Sequence, residues 1–259
     1  MESKFVVTKI ERVAMVGKEE YPQEHITFGT DITCNELIFH FSGQSTVFFD
    51  RVVLQTKANS IRFLPKMKVS RYEVFHQPGD CILVDFQTDV AVSDVAFVTF
   101  SNQNEYIGAL FRRLFLCWSS KKEGYYFESL SLLYDIFAQM VNHRYMPVQY
   151  KKRIKPAIEE INQHFLERTI EIAKLATLCN MSESYLKKIF TTVYGISPKK
   201  YIIALKINSA CELLRTAQMS IQQVADACNY SDVYFFSRQF KQCTSVSPTD
   251  FQKKYRSTK

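Results

Sequence analysis

The chain has 259 residues, a formal net charge of +7 and 46% hydrophobic residues, which predicts two folded domains, each with its own core. Its seven cysteines, an odd number without CxxC or CxxxC spacing, signal neither a disulfide framework nor a zinc site. The N-terminus MESKFVVTKIE lacks the apolar core of a signal peptide, and Arg112-Arg113 interrupts the apolar run near Leu110. We therefore expect a cytoplasmic protein without a membrane segment.

The N-terminal part is typical of β structure. Runs of β-branched and aromatic residues have strand length and are separated by turns such as Ser42-Gly43-Gln44 and Gln77-Pro78-Gly79-Asp80. The runs are ELIFHFSG, STVFFDRVVLQT, SIRFLP, SRYEVFH, DCILVDFQT and DVAFVTF. Regular spacing of short strands predicts a small antiparallel β barrel or jelly roll.

This predicted barrel contains polar residues that suit a binding module. The candidate ligands for an anionic or hydroxylated effector are His40, Arg62, Lys66 and Arg71, and simple surface exposure is the alternative for each. The histidines His25, His40 and His76 lie far apart and form no H-x-H pair. We therefore expect no metal and no cofactor in the barrel.

Two amphipathic helices are predicted after the strands, because each run has an apolar stripe at helical spacing. The first stripe contains Ile107, Leu110, Phe111 and Leu114. The second contains Leu130, Leu133, Tyr134, Phe137 and Val141. Packing against the barrel and pairing with a second subunit both explain such stripes.

The charge balance changes near residue 150. Residues 1–150 hold 15 Lys+Arg and 17 Asp+Glu, whereas residues 151–259 hold 18 and 9. The segment from His143 to Lys152 contains Pro147, which favours a short linker there. We predict one domain over residues 1–147 and a basic second domain over residues 148–259, whose charge suits a polyanion.

The second domain contains a duplication, with copies at about 160–198 and 210–251. Ile172 matches Ile221, and Cys179-Asn180 matches Cys228-Asn229. Each copy reads as a helix, a turn at the Cys-Asn pair and a second helix, with an N-cap at Ser182 in the first copy and at Ser231 in the second. One continuous helix is predicted from Lys199 to Thr216, because that segment has no Pro or Gly.

The second helix of each copy places aromatic residues inward and short polar or basic residues outward. The outward candidates for DNA contact are Ser184, Lys187 and Lys188 in the first copy and Tyr234, Ser237, Arg238 and Lys241 in the second. Such faces suit the major groove, and a rigid spacer would hold them about 34 Å apart along double-stranded DNA. Ordinary bundle helices with a solvated basic face are the alternative.

These motifs resemble the DNA-binding domain of the AraC/XylS (AraC-type) transcription regulators. The resemblance rests on Ala225, Ser231-Asp232, Phe235-Phe236-Ser237-Arg238, Phe240-Lys241 and Ser247-Pro248, with weaker matches in the first copy. The chain departs from the family pattern at Asn229-Tyr230, at Ser245 where Gly is usual, and at Lys206 where Arg is usual.

The resemblance implies a non-enzymatic regulator, more commonly an activator than a repressor, that works with RNA polymerase. It also implies a cupin-like barrel that senses a small effector, and a homodimer formed through the second stripe. Two alternatives remain: a metal-independent cupin-type enzyme, and a regulator that uses the barrel only for dimerisation and needs no effector. A protein-interaction scaffold is disfavoured because the repeat occurs only twice and its faces are cationic.

Overall fold

The computed structural model describes residues 5–19, 25–29, 32–49, 52–67, 71–93, 96–100, 104–142, 148–216 and 218–256. In these residues all strands precede all helices along the chain. The strands are β1 (Val7–Val16), β2 (His25–Gly29), β3 (Asn35–His40), β4 (Gln44–Phe49), β5 (Val52–Lys57), β6 (Ser60–Leu64), β7 (Arg71–Gln77), β8 (Cys81–Thr88) and β9 (Phe97–Phe100). The helices are α1 (Asn104–Ser120), α2 (Tyr125–Asn142), α3 (Val148–His164), α4 (Ile172–Leu178), α5 (Glu183–Tyr194), α6 (Pro198–Thr216), α7 (Ile221–Ala227), α8 (Val233–Thr244) and α9 (Pro248–Arg256).

The strands form two antiparallel sheets, which confirms the predicted combination of an antiparallel β part and a helical C-terminal part. One sheet has the order β1-β8-β3-β6-β9 and the other β2-β7-β4-β5. The run STVFFDRVVLQT, expected as one segment, forms the paired strands β4 and β5, with Phe49 opposite Val52. The expected boundary at residue 147 lies outside the described residues, as do the connecting residues 143–147.

Strand β1 has no counterpart among the predicted strands, which begin at residue 36. It pairs with β8 at the edge of the larger sheet and buries Val7, Ile10 and Val13. Charged residues such as Lys9 and Glu11 lie between these apolar positions, and only an edge strand with one solvated face tolerates that pattern. The prediction overlooked it because no long β-branched or aromatic run marks the segment.

Two predicted turns cross each other at one end of the barrel, and both need glycine. Gly43 has φ 82°, a conformation that side chains rarely adopt. A Cβ atom on Gly79 would lie 2.2 Å from the carbonyl oxygen of Ser42. Since the Phe41 N–H donates to the Asp80 carbonyl oxygen at 2.8 Å, the two turns are held together by the backbone.

Helices α1 and α2 pack on the larger sheet. Their buried residues share one core with Phe86 of β8, whose ring lies 5.5 Å from that of Phe137. In the predicted second stripe, Leu133 and Phe137 are buried, whereas Tyr134 and Val141 are exposed, and the Tyr134 hydroxyl accepts the Val7 N–H of β1. Packing on the barrel thus accounts for the buried members of this stripe. None of the described helices is both long and apolar enough to span a bilayer.

The C-terminal part contains the two predicted helix-turn-helix units, α4-α5 and α7-α8. Asn180 and Asn229 adopt left-handed conformations with φ 51° and 56°, as expected of residues that end a helix. The predicted cap Ser182 is confirmed, since its hydroxyl accepts the Tyr185 N–H. The predicted cap Ser231 is wrong: Asp232 caps α8 and accepts the Tyr234 N–H at 2.7 Å. The extra residue of the second copy therefore lies before the helix.

Helix α6 joins the two units without interruption, which confirms the predicted spacer. Most of its residues are buried, and the polar or charged exposed positions lie near its two ends. The two helix-turn-helix units cover only one side of this helix. The other side is covered because the barrel packs on it, so that residues from β4, β5 and β7 share one core with α6.

Helix α8 ends with Ser245 in a left-handed conformation of φ 65°, where the first copy has Gly195 at φ 78°. A side chain there costs about 1 kcal/mol that glycine avoids. We expect Ser245→Gly to raise the free energy of unfolding by about 0.5 to 1 kcal/mol in urea titration. Gly195→Ser is the matched control and should lower it by a similar amount. An unchanged or reduced stability of Ser245→Gly would contradict this assignment of strain.

Candidate nucleic-acid interface

Helices α5 and α8 are each 12 residues long and correspond at an offset of 50 residues. Their inner faces are anchored by buried apolar side chains, including Leu186 and Phe190 in α5 and Phe236 and Phe240 in α8. These anchors fix the side of each helix that faces solvent, because residues three or four positions apart share a face. Both helices are therefore held by their caps and their cores with one face left free.

The predicted DNA-contact residues lie on these free faces. The exposed members are Ser184, Lys187, Lys188, Tyr234, Arg238 and Lys241, and Ser237 is half-buried. The Lys187 ammonium lies 3.0 Å from the Glu183 carboxylate, one turn earlier in α5. An exposed pair of this kind contributes little to stability, so Lys187 can leave it for a phosphate or a base at little cost.

Helix α6 contacts α5, α7, α8 and α9, and one of its side chains holds the second turn. The Lys206 ammonium donates a hydrogen bond of 2.9 Å to the carbonyl oxygen of Asn229, the left-handed residue of that turn. The same ammonium lies 5.2 Å from the ring centroid of Tyr230. Burial lowers the pKa of Lys206. Lys206 thus ties the spacer helix to the second unit.

The first unit has its own tie, to helix α3. A guanidinium N–H of Arg153 donates to the Tyr185 hydroxyl at 2.9 Å, and the Arg153 guanidinium lies 5.1 Å from the Tyr185 ring centroid. Farther along α3, Glu160 pairs with Arg168 and with Lys174 of α4. These contacts fix both helices of the first unit against α3.

The barrel contacts the helices that carry the first face. Strand β9 packs against α5, and β5 packs against both α5 and α6. Phe48 and Tyr72 stack with ring centroids 4.5 Å apart and belong to the same core as the apolar side chains of α6. A cleft of about 570 Å³ opens beside this contact, between His76 of β7 and Lys200 of α6. The barrel sheet and the spacer helix are therefore in direct contact.

Three of the four predicted effector residues meet in one cavity of about 300 Å³ between the sheets. His40, Arg62 and Arg71 line it, whereas Lys66 lies outside, in a separate cleft with Asn35 and Thr88. Lys66 follows the end of β6 and is exposed, so the structure does not bring it together with the other three. The exposure that was the alternative for each candidate thus applies to this one.

The cavity contains carboxylates that the sequence did not single out. The Arg62 guanidinium lies 2.7 Å from Glu73, and the Arg71 guanidinium lies 2.6 Å from Glu36. At the rim, Arg12 pairs with Asp85 at 2.7 Å. Arg71 and Glu73 are two residues apart in β7, so their shared face was readable from strand periodicity. Their partners come from other strands and could not be predicted from that periodicity.

Protonation in the cavity follows from burial and from these pairs. Burial lowers the pKa of His40 to about 3, so the imidazole is neutral at physiological pH. Burial works to raise the pKa of Glu73, but Arg62 and the Ser45 hydroxyl hold it below its ordinary value. Among the described residues, neither the Nε2 atom of His40 nor the Nε atom of Arg62 has a hydrogen-bond partner. Buried polar atoms of this kind normally find one.

The comparisons with known proteins agree with this geometry. Residues 175–254 match the family described as "Helix-turn-helix domain". The chain is 32% identical over 91 residues to the MmsAB operon regulatory protein of Pseudomonas aeruginosa, covering 35% of this chain and 30% of that protein. It is 29% identical over 136 residues to the arabinose operon regulatory protein of Escherichia coli, covering 50% and 46%.

A third relative aligns over most of the chain. The Msm operon regulatory protein of Streptococcus mutans is 24% identical over 253 residues, covering 88% of this chain and 87% of that protein. The chain spans less than half the length of the two more similar relatives, and the shared part of the first is confined to about 91 residues. Over residues 175–254 the chain thus matches a helix-turn-helix domain, and in its C-terminal part it is similar to operon regulatory proteins.

Proposed function

We propose that this chain is a sequence-specific DNA-binding transcription regulator of the activator type, whose barrel senses a small effector. The observation that carries the proposal is the pair of capped helices with outward cations, held on one buried helix. Two faces fixed in this way suit successive major grooves on one side of B-form DNA. The relatives named as operon regulators support the same function.

We propose two roles for the outward-facing residues. Ser184, Lys187 and Lys188 of α5 and Tyr234, Ser237 and Arg238 of α8 are proposed to meet base edges in the major groove. Lys241, one turn farther along α8, and the exposed pair Lys199-Lys200 at the start of α6 are proposed to contact phosphates. Phosphate contacts give affinity and orientation but carry no sequence information directly.

Selection of double-stranded DNA from a random pool by the intact protein should enrich a motif with two elements. On that DNA, Arg238→Ala should cost about 1 to 3 kcal/mol of binding free energy and relax the preference at one base pair. Lys241→Ala is the matched control and should weaken binding to enriched and random DNA alike. Electrophoretic mobility shift at fixed salt measures both.

Two results would contradict these roles. Equal losses on enriched and random DNA for Arg238→Ala would remove its base-reading role. Failure of the intact protein to enrich any motif would remove the proposed function itself.

The cavity is proposed to bind the effector through His40, Arg62 and Arg71. The arginines of the cavity are already paired with carboxylates and His40 is neutral. An anionic ligand would therefore find no unpaired cation among these residues. The unpartnered nitrogens of His40 and Arg62 favour a ligand that both donates and accepts hydrogen bonds. Of the two predicted classes, the hydroxylated ligand therefore fits the cavity better than the anionic one.

This choice can be tested with pairs of a neutral sugar and the uronic acid of the same skeleton, for example galactose and galacturonate. A neutral member that binds should raise Tm by several degrees, since ligand at 100 times Kd adds about 2.7 kcal/mol of stability. His40→Ala should reduce that rise, whereas Lys66→Ala, which lies outside the cavity, should keep it. If the acids raise Tm instead, or if no member of any pair raises it, the proposed class of hydroxylated ligand is contradicted.

Effector binding is proposed to act through the barrel surface that packs on α5 and α6. A ligand that changes the spacing of the two sheets would shift β5 and β9, and with them the first recognition helix. Such a ligand alters DNA affinity only by the difference in its affinity for the two arrangements. The sign proposed here is activation, together with RNA polymerase, as in the family the chain resembles.

We also propose that the chain forms a homodimer with a second copy of itself. Its proposed site of action is the cytoplasm. Leu133 and Phe137 are buried against the barrel, and Leu130 is half-buried. A homodimer through α2 would therefore use its exposed side, where Phe127, Tyr134 and Val141 are 77%, 39% and 47% accessible. Sedimentation of the intact protein at micromolar concentration distinguishes one chain from two.

A further inference from the structure

The first turn of α8 exposes two adjacent aromatic side chains. Tyr234 is 82% exposed and Phe235 is 44% exposed, although the other aromatic residues of this helix, Phe236 and Phe240, are fully buried. The Asp232 cap accepts the Tyr234 N–H and so holds this turn in a helical conformation. The two rings are thus presented to solvent by an ordered helix start, the part of a recognition helix that reaches base edges.

The first recognition helix differs at the same positions. At the offset of 50 residues, Ser184 corresponds to Tyr234, and Tyr185 corresponds to Phe235. Tyr185 is half-buried and its hydroxyl is bound by Arg153, so that ring is held against α3. Only the second unit offers free aromatic surface here, and the two units must therefore read their DNA elements through different chemistry.

The neighbours of the aromatic pair define what it can recognise. The ring centroids of Phe235 and the buried Tyr230 lie 6.1 Å apart. The Arg238 guanidinium lies over the Phe235 ring, 5.7 Å from its centroid. Phe235 thus orients an arginine, the side chain that best recognises guanine O6 and N7. Tyr234, four residues before Arg238, lies on the same face with its ring uncovered. A cationic donor and an apolar ring stand side by side.

The major groove presents one apolar group at base edges, the 5-methyl group of thymine. We propose that Tyr234 contacts a thymine 5-methyl group next to the base read by Arg238, so that the second unit selects a thymine that the first unit does not. This inference rests on the proposed DNA-binding function. It adds the chemical group that is read and assigns it to one unit.

The test replaces single thymines by deoxyuridine, which keeps every hydrogen-bonding group and removes only the methyl group. The probe is a double-stranded oligonucleotide enriched from a random pool by the intact protein. At one thymine of one element, uracil should weaken wild-type binding about fourfold, the equivalent of one buried methyl group. Uracil at thymines of the other element should have no comparable effect.

Variants assign the effect to the side chain. Tyr234→Ser, which copies the residue of the first unit, should bind thymine and uracil DNA equally. Tyr234→Phe should keep the fourfold preference, because it keeps the ring. Lys241→Ala should weaken binding to both DNAs by the same factor and leave their ratio unchanged.

Three outcomes would overturn the inference. Equal wild-type binding to thymine and uracil DNA at every position, on DNA that is still preferred over random sequence, would remove the methyl contact and leave the proposed function standing. If Tyr234→Phe loses as much affinity for the thymine DNA as Tyr234→Ser does, the tyrosine makes a hydroxyl contact instead, with phosphate as the acceptor. Absence of any preferred DNA would remove the inference and the proposed function together.

Discussion

The burial of helix α6 is the constraint on which the other parts of this molecule depend. Each helix-turn-helix unit is small, with helices of 7 and 12 residues. Both units pack on α6, the first through α5 and the second through α7 and α8, and α6 is buried along most of its length. Because an α helix rises 1.5 Å per residue without bending easily, this shared core also fixes the distance between the units.

The same burial ties the barrel to the two helix-turn-helix units. Strands β4, β5 and β7 cover the side of α6 that the two units leave free, and Tyr72 is among the residues of this shared core. Packed cores transmit displacements because they hold few voids. A change in the barrel thus reaches the spacer helix through contacts rather than through a flexible linker. The Lys206 hydrogen bond to Asn229 extends that connection to the second unit.

The helical part was predictable because its signals are local. Caps, left-handed asparagines and apolar spacing all lie within a few residues of the structure they specify, as at Ser182 and Asn180. The error at Ser231 also has a local cause, because an inserted residue moved the cap by one position, to Asp232. A sequence repeat alone does not say on which side of a helix start an insertion lies.

The barrel cavity was less predictable because its chemistry is made by pairing across strands. Arg62 of β6 meets Glu73 of β7, which belongs to the other sheet, and Arg71 of β7 meets Glu36 of β3. No local pattern announces such partners, so cationic residues were named and their carboxylates were not. Lys66 shows the converse: it is a cationic residue named from the same part of the sequence, but it follows the end of β6 and lines a separate cleft.

The central claim is that α6 acts as a rigid spacer that sets the two reading helices at the pitch of B-form DNA. The most direct measurement is the affinity of the intact protein for DNA in which the two enriched elements are moved apart base pair by base pair. The account predicts tightest binding with element centres about 10 base pairs apart and a steep loss when about 5 base pairs are added, because the second element then faces the other side of the duplex. Equal affinity at all spacings would contradict it.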